Sequence, residues 1–469
     1  MTSKSADQDA LDLKKMGYAQ ELLRDMGGFS NFAISFSIIS ILTGAIQLYG
    51  YGLQHGGPLQ MSAGWLLVSF FTLCVALSMA ELASAYPTAG ALYHWSSFLG
   101  GRGLGWFTAC FNTVGQFAIL AGIDWGLSVF VVGLLGWDAD RTAAVYTALL
   151  LSHAALNHLG IRVVSWLNDF SVWYHIAVVL LILGALASKG FVQPISFLTT
   201  FHNADGYAPR YSFLIGLLLA QWTLTGYDAS AHVTEETHDP RRNAPWGIVL
   251  AVVVSVIFGF LMLAAITLSI PDMILAASYG DAALVEILKL RLGENAGKGL
   301  MWLICGAMWL CGLGAMTSAS RMVFAFARDG GLPGHALWAV VSRRFRTPAN
   351  AIWGLFACAL LLALSVQAYS AVLSIAVLAL YLSYGLPVAA RLWARSHGRG
   401  GDLGPWNLGR LSTPIAVVAV LWICFITVVF VLPPNEQAGK VMGGLLLTLL
   451  TVWFGWSRAR FPGPKYKPH

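Results

Sequence analysis

Long apolar runs separated by short polar loops form the dominant pattern along this chain. A helix that crosses the hydrocarbon core of a bilayer needs about 20 mostly apolar residues, and the runs have about that length. They are too long and too evenly apolar to be barrel strands, which alternate over about ten residues. The predicted fold class is all-α integral membrane, with twelve transmembrane helices at residues 29–51, 62–85, 104–134, 142–160, 168–188, 211–235, 246–270, 299–327, 350–367, 370–392, 413–432 and 440–457.

Composition and charge placement agree with this interpretation. Of the 469 residues, 57% are hydrophobic and only 11% are charged, against about 25% charged residues in an average soluble domain. Most of the 28 Lys and Arg residues fall in alternate loops and at the two ends of the chain. Because such residues concentrate in cytoplasmic loops, we predict an inner (plasma) membrane protein with both termini cytoplasmic. This concentration of Lys and Arg on one side of the membrane also explains the net charge of +6, so the charge does not indicate a nucleic-acid partner.

An internal repeat is indicated by the tripeptide Leu-Thr-Gly, which occurs at residues 42–44 and again at residues 224–226. Coincidence alone could produce this match, but its position near the middle of spans 1 and 6 strengthens it. Spans 1–5 and 6–10 form two sets of five. Because an odd number of crossings ends on the opposite side of the membrane, the second set must run through the membrane in the opposite direction to the first. The N-terminal segment at 1–28 lacks a signal-like apolar core, so we expect it to be kept in the mature chain and to be cytoplasmic. After it we expect a first five-helix repeat at 29–188, a second, inverted repeat at 211–392, two accessory helices at 413–457 and a cytoplasmic tail at 458–469.

Broken helices are expected at the corresponding position of each repeat. In transporters built from inverted repeats, Gly-interrupted segments at matching positions are the best sequence indication of the binding site. Here those segments are residues 40–44 and 223–228. Unpaired backbone groups inside a membrane are tolerated only where they face protein or a wet cavity. The pattern therefore predicts a cavity between spans 1 and 6.

Three stretches carry a resemblance to a known family: "ALSMAELASAYPTAGALYHWSSFLG" at 76–100, the broken sixth span with its "HDPRRNAP", and "SRMVFAFARDGGLP" at 320–333. Together they resemble the amino acid–polyamine–organocation superfamily, most closely its amino acid/choline branch, which includes permeases for γ-aminobutyrate and choline. The resemblance covers about residues 18–457. It implies a leucine-transporter-like 5+5 inverted repeat with helices 1 and 6 broken, transport by alternating access, and a substrate site between the broken helices that helices 3, 8 and 10 also line.

The candidate substrate site begins at the first break. A half-helix that starts there exposes N–H groups at the positive end of a dipole, which suits a carboxylate. The candidate donors are Leu42, Thr43, Gly44 and Ala45, and the predicted substrate-binding residues of this segment are Ile41, Leu42, Thr43 and Gly44. The alternative is a simple glycine kink.

Asp228 is the carboxylate deep in span 6. A charge at mid-bilayer costs about 2.5–3.5 kcal/mol even on a lenient scale and by default marks function. In the resembled arginine-exchanging members a Glu stands at this position, after a Trp-x-x-x-Gly-x pattern that Trp222 and Gly226 match. Asp228 is therefore predicted to bind a substrate amine or to take part in gating or protonation. The alternative is that it caps the second half-helix.

Further candidates flank these breaks. The rings of Trp222 and Tyr227 are predicted to cover an ammonium group through a cation–π contact, or else to serve in packing. Gln116, one turn after Asn112 in span 3, offers a neutral hydrogen bond. With Thr225 and Gly226 these residues complete the predicted substrate-binding set.

His175 in span 5 stands where proton-coupled relatives often have a Lys, so with Asp228 it is the predicted proton-coupling residue. The alternative is a hydrogen-bonded interior His. His153 and His158 in span 4 lie further from the inferred site and are interpreted as interior residues. Thr317 and Ser318 in span 8 are weak candidates for a sodium site, and no other metal site is predicted.

Charged residues near the inner helix ends are interpreted either as an inner gate of ion pairs or as solvated helix ends that set topology. They are Glu81, Glu235, Glu236, Asp239, Arg241, Arg328 and Asp329.

These residues lead to one functional hypothesis. The chain is predicted to be a proton-coupled secondary transporter that imports an amino acid or related small amine, with no enzymatic activity and no cofactor. Its partners are the substrate, the coupling proton and the lipid bilayer, and it is a monomer or homodimer. The alternatives are a sodium-coupled symporter or an exchanger of choline, ethanolamine or polyamine, and, in another class, a transporter-like substrate sensor.

Overall fold

The computed structural model describes residues 3–365, 369–399 and 403–465, and helices form nearly all of their regular structure. In the first part of the chain the α-helices are α1 (Ser3–Lys15), α2 (Gly28–Ile39), α3 (Ile41–Gln47), α4 (Tyr49–Gln54), α5 (Trp65–Ala85), α6 (Leu92–Gly100), α7 (Arg102–Leu135), α8 (Thr142–Leu159) and α9 (Ile161–Ser188). The others are α10 (Pro209–Gly216), α11 (Leu218–Thr223), α12 (Ala229–His232), α13 (Pro240–Leu268), α14 (Met273–Ser278), α15 (Ala283–Leu292), α16 (Glu294–Arg328), α17 (His335–Trp338), α18 (Ala349–Ser365), α19 (Tyr369–Ser396), α20 (Ser412–Val431), α21 (Glu436–Val452) and α22 (Arg458–Arg460). The predicted all-α class is confirmed.

Short elements connect these helices. Turns of 3-10 helix lie at Ala139–Arg141, Ile195–Thr199, Thr234–Glu236, Gly280–Ala282 and Gly409–Leu411, and π-helical turns lie at Gln60–Gly64 and Trp453–Ser457. Two strands of two residues each, β1 (His55–Gly56) and β2 (His202–Asn203), pair antiparallel with His55 opposite Asn203. This small pairing joins the loop after α4 to the loop before α10.

Nine helical segments of the described residues are long and apolar enough to cross a membrane: Gly28–Gln47, Gln60–Ala85, Arg102–Leu135, Ile161–Ser188, Pro240–Leu268, Glu294–Arg328, Val372–Ser396, Gly409–Val431 and Glu436–Arg460. Each coincides with a predicted span. The other three predicted spans have shorter or interrupted helices. Residues 142–160 form α8, residues 211–235 are divided among α10, α11 and α12, and residues 350–367 correspond to α18. Residues 366–367 of that last span lie outside the described residues, as do residues 466–469 of the predicted tail.

Large apolar side chains are exposed on the outer faces of several of these helices. Phe70 on α5, Trp166 and Trp173 on α9 and Leu421 on α20 each leave more than half of their surface uncovered. In water such a surface would favour association, whereas in a bilayer it faces lipid tails of similar polarity. The outer faces of these helices therefore fit a lipid environment.

The interior is organised around two long helices. α7 and α16, of 34 and 35 residues, pack against each other. The helix α19 packs along α7, and α2 packs against α9, α13 and α16. This arrangement encloses the short helices α3, α11 and α12, whose residues are buried. The candidate site lies among these short helices.

Candidate functional site

The first predicted break is present at Ser40, between α2 and α3. Ser40 has a positive φ of 30°, which is uncommon for a residue other than glycine. Its N–H donates to the Phe36 carbonyl at 3.1 Å, while its own carbonyl accepts the N–H groups of Thr43 at 2.7 Å and Gly44 at 3.0 Å. The helix therefore stops and restarts within one residue.

The second predicted break separates α11, which ends at Thr223, from α12, which begins at Ala229. Gly226 has φ of +98°, and a Cβ atom added there would lie 2.3 Å from Cγ2 of Ile38 on α2. A Cβ atom added to Gly44 would likewise lie 2.6 Å from Cα of Thr223. These two glycines therefore let the broken segments of the first and sixth predicted spans pack closely, Gly44 against the backbone of Thr223 and Gly226 against the side chain of Ile38.

Asp228 lies directly after the second break and has no solvent exposure. Its Oδ2 accepts hydrogen bonds from Gln116 at 3.1 Å and from Asn112 at 3.3 Å, both on α7. Its Oδ1 accepts the Tyr384 hydroxyl of α19 at 2.8 Å. The side chain makes no capping hydrogen bond to α12, so the capping alternative is wrong. The carboxylate instead points toward α7 and α19.

His232 completes this cluster from one turn further along α12. Its Nε2 lies 3.2 Å from Asp228 Oδ2, and its Nδ1 lies 3.1 Å from the Ala89 carbonyl. Both side chains of this pair are fully buried. The sequence reasoning missed His232, although residues four apart on a helix share a face and this spacing could have identified it. Tyr384 was also missed, and no local pattern connects it to a residue so distant in sequence.

The aromatic candidates flank the second break from two sides. The Trp222 indole N–H donates to Gln47 Oε1 on α3 at 3.1 Å. The Tyr227 ring lies 5.1 Å from the Tyr384 ring, between centroids. Thr225 donates to the carbonyl of Gln221 at 2.6 Å. Tyr227 therefore lies beside the Asp228 cluster, whereas Trp222 links the sixth predicted span to the outer half of the first.

His175 lies against the first break rather than beside Asp228. Its Nε2 is 2.8 Å from the Ser40 hydroxyl, and its Nδ1 is 2.8 Å from the Ser171 carbonyl of its own helix. The Ser40 hydroxyl also contacts the Thr43 hydroxyl at 2.6 Å. The structure thus joins α9 to the break through a titratable side chain, and the role of His175 in coupling stays a prediction.

The two weak sodium candidates on α16 point toward different neighbours. The Ser318 hydroxyl accepts a hydrogen bond from Gln116 at 3.3 Å, so it belongs to the Asp228 cluster. The Thr317 hydroxyl donates to Asn157 Oδ1 on α8 at 2.8 Å. The two hydroxyls therefore do not converge on one point. Within the described residues no group of three or more His, Cys, Asp and Glu side chains is arranged to hold a metal ion.

Ion pairs lie at one end of this cluster, next to the 3-10 turn after α12. Arg321 donates two hydrogen bonds to Glu236, each at 2.9 Å, and both side chains are fully buried. Arg328 binds Glu235 in the same bidentate way, at 2.8 and 2.9 Å. For Glu235, Glu236 and Arg328 the interpretation as solvated helix ends is wrong. They are buried, paired charges, which is costly unless the geometry is good.

The N-terminal segment covers this end of the molecule. Tyr18 donates to Asp329 Oδ2 at 2.8 Å, and His94 Nε2 lies 2.9 Å from the same oxygen. The Gln20 amide donates to the Glu235 carbonyl at 2.7 Å. The N–H of Met26 donates to the Glu236 carbonyl at 2.9 Å. These contacts hold residues 18–26 over the ion pairs, so the Asp228 cluster is enclosed from that side.

Known proteins resemble this chain along nearly its whole length. Residues 26–455 match the model of a family described as amino acid permease. An amino-acid permease BAT1 homolog of Oryza sativa subsp. japonica is 39% identical over 96% of this chain and 94% of that protein. Amino-acid permease BAT1 of Arabidopsis thaliana is 36% identical over 98% and 96% of the two chains. A Saccharomyces cerevisiae protein named GABA-specific permease is 28% identical over 93% and 80%.

Proposed function

Because this chain belongs to the amino acid permease family, we propose that it imports an amino acid or related small amine by proton-coupled secondary active transport. Family membership confirms two predictions from the sequence, the family resemblance itself and the assignment to transporters rather than enzymes. Together with the apolar helices, it makes the chain an integral membrane protein. The substrate, the coupling ion and the transport cycle are the parts that we propose.

The proposed topology has twelve spans, with residues 29–188 and 211–392 as two inverted repeats of five helices and residues 413–457 as two accessory helices. Its support is the position of the two breaks. They fall at Ser40 and at residues 224–228, in the first helix of each proposed repeat. We also propose an inner (plasma) membrane location with both termini cytoplasmic, because Lys and Arg concentrate on that side.

The observation that carries the proposed function is the environment of Asp228. Four side chains, Asn112, Gln116, His232 and Tyr384, converge on one buried carboxylate at the junction of two broken helices. A carboxylate at membrane depth is costly, and hydrogen bonds to it stabilise the charged form. An ionised carboxylate held in this way is suited to receive a substrate ammonium group, with Tyr227 beside it.

The other end of the substrate is proposed to lie at the first break. Residues Ile41, Leu42, Thr43 and Gly44 are buried and begin a new helix immediately after Ser40. The proposed donors are the N–H groups of Ile41 and Leu42, because those of Thr43 and Gly44 already donate to the Ser40 carbonyl. An amino acid carries an ammonium and a carboxylate, so it needs an acceptor and a set of donors close together. The adjoining breaks bring Asp228 and the start of α3 into one region, which supports an amino acid as the substrate. The name of the yeast relative, GABA-specific permease, makes γ-aminobutyrate one candidate.

Proton coupling is proposed because a titratable side chain lies at each break, His175 at the first and Asp228 with His232 at the second. A proton that crosses a potential of 100 mV releases about 2.3 kcal/mol, which corresponds to roughly fifty-fold accumulation. The diverging hydroxyls of Thr317 and Ser318 give less support to sodium.

The direct test is uptake into liposomes that contain the purified protein. We expect labelled amino acids, γ-aminobutyrate among them, to accumulate when an inward proton gradient is imposed. Asp228→Asn removes the charge with little change of shape and is expected to reduce uptake at least tenfold. The matched control is Asp140→Asn, which changes an exposed carboxylate in the loop before α8. Uptake that follows a sodium gradient and ignores protons would refute the coupling, and an unaltered Asp228→Asn would refute the site.

A further inference from the structure

A second buried pair of titratable side chains joins α7 to α8, away from Asp228. Asp124 Oδ2 lies 3.0 Å from His153 Nδ1, and neither side chain has any solvent exposure. Asp124 lies eight residues beyond Gln116, or about 12 Å further along the same helix. The other two polar atoms, Asp124 Oδ1 and His153 Nε2, have no hydrogen-bond partner among the described residues. Buried polar atoms without partners are rare and call for an explanation.

Gly312 of α16 provides the space for this pair. A Cβ atom added to Gly312 would lie 2.3 Å from Asp124 Oδ1 and 2.6 Å from Cε1 of His153. The Trp309 ring covers the imidazole at 5.3 Å between centroids. Three helices thus enclose a pocket that fits these two side chains and no additional methyl group.

Few other titratable groups face the pair. The Tyr146 hydroxyl of α8 donates to the Ala359 carbonyl, and the Cys311 thiol of α16 donates to the Ile38 carbonyl. Both are close enough to interact electrostatically with Asp124. In the described part of the chain, no Lys or Arg side chain forms an ion pair with Asp124. His153 is therefore the group that can neutralise this carboxylate.

The charge of the pair depends on a single proton. If Nδ1–H of a neutral His153 donates to an ionised Asp124, the pair carries one negative charge and Nε2 holds a free lone pair. Uptake of a proton at Nε2 forms the imidazolium and makes the pair neutral overall, with no bond broken. Since an uncompensated buried charge is strongly unfavourable, proton uptake at Nε2 removes the net charge of the enclosed pair.

Contacts connect the surroundings of this pair to both halves of the first predicted span. Cys311, the neighbour of Gly312, donates its thiol hydrogen to the carbonyl of Ile38 on α2 at 3.2 Å, just before the break. On α7 the Gly122 carbonyl accepts the Gln47 amide of α3 at 3.4 Å. Cys311 and Gly122 therefore link the surroundings of the pair to each half of the first predicted span.

We propose that Asp124 and His153 form a proton-binding site that takes up one proton at His153 Nε2 while the pair is enclosed. This inference rests on the proton coupling proposed above and adds a site separate from His175 and Asp228. The proton is released when movement of α2 and α3 changes the contacts of Cys311 and Gly122.

This test distinguishes a loss of proton coupling from a loss of substrate transport. His153→Gln and Asp124→Asn are compared in liposomes with His158→Gln, a change of the other His of α8, which lies beside Phe345. We expect the first two variants to lose at least tenfold in proton-driven accumulation while they retain counterflow, which needs no gradient. The control is expected to accumulate substrate as the unaltered protein does. Normal accumulation by His153→Gln would overturn the proposal.

Proton binding itself gives an independent readout that does not require transport. The purified unaltered protein is expected to bind one more proton than His153→Gln in a titration across the range in which histidine titrates. Equal proton binding would overturn the proposal, even if uptake were impaired by poor folding. If uptake by the unaltered protein proves sodium-driven, the proposed coupling fails, and this titration still decides whether the pair binds a proton.

Discussion

At the residue scale, Asp228 is held mainly by neutral donors. Asn112, Gln116 and Tyr384 each contribute one hydrogen bond, and His232 is the partner that can carry a charge. In the described residues Asp228 has no Lys or Arg partner, in contrast to Glu235 and Glu236. The carboxylate is therefore stabilised without being neutralised by a permanent cation. A substrate ammonium group can supply that missing charge.

The Tyr384 hydroxyl offers a specific test at this scale. Tyr384→Phe leaves Asp228 Oδ1 without its 2.8 Å hydrogen bond. A hydrogen bond to a charged group contributes about 1.5 kcal/mol, so we expect kcat/KM of transport to fall about tenfold. The control is Tyr49→Phe, which removes a buried hydroxyl bound to Thr267. Equal effects of the two substitutions would show that Tyr384 acts only in packing.

At the element scale, the broken segments of the first and sixth predicted spans depend on each other. Gly44 lies against Thr223, and Gly226 lies against Ile38, so each break is accommodated by the other helix. His175 and Cys311 fix α9 and α16 to the same short region. A change in one break therefore has to be accommodated by at least three neighbouring helices.

Gly226→Ala tests this dependence. The added methyl group would lie 2.3 Å from Ile38 Cγ2, on a backbone with φ of +98° that side chains rarely adopt. We expect loss of transport and a clear fall in the melting temperature in detergent, since strain of this kind costs about 1–3 kcal/mol. Gly184→Ala on α9, where nothing lies within 4 Å, is expected to leave both quantities unchanged or slightly improved. A Gly226→Ala protein with normal stability and transport would contradict the proposed packing.

At the scale of the whole molecule, the N-terminal segment is part of the folded structure. Tyr18 and His94 bind Asp329, and the Arg328 guanidinium lies 4.2 Å from the centre of the Tyr18 ring. Burial alone would raise the pKa of the Asp329 carboxyl, but the hydrogen bond and charge of His94 and the charge of Arg328 hold it below its usual value of 3.8. The ionised carboxylate therefore stabilises this contact.

A pKa that is lowered in the folded state gives stability above the unfolded pKa, and this stability is lost as the pH falls through the folded pKa. We therefore expect the amide hydrogens of residues 18–26 to be strongly protected, relative to the intrinsic exchange rate at each pH, near neutral pH and less protected once the pH falls below about 4. Asp329→Asn is expected to speed exchange of this segment severalfold at neutral pH. The exposed change Asp140→Asn serves as the control. Exchange that is identical in Asp329→Asn and in the unaltered protein would rule out this role.

Some of these features could be predicted from the sequence because they are local. The sequence alone shows the apolar runs, the glycines at residues 44 and 226, and the carboxylate of Asp228 within the sixth predicted span. None of these features requires knowledge of a tertiary contact. The partners of Asp228 could not be predicted from the sequence. Tyr384 is 156 positions away, and helix periodicity shows which face of a helix is buried but not which other helix packs against that face. His153 is interpreted as an interior residue because it lies further from the inferred site, and its contact with Asp124 on another helix is not visible in the sequence pattern. The contacts of Tyr18 also depend on tertiary packing, which a polar N-terminal pattern does not reveal.

The docked N-terminal segment has a kinetic consequence. In the proposed transport cycle, the inner side opens only after Tyr18 leaves Asp329 and Gln20 leaves the Glu235 carbonyl. The free energy of that release adds to the barrier of the opening step, while the substrate contacts near Asp228 stay as they are. In that cycle, breaking the contacts of residues 18–26 is a step separate from substrate binding near Asp228. Selection could tune the speed of such a carrier through its N-terminus without any change in what it carries.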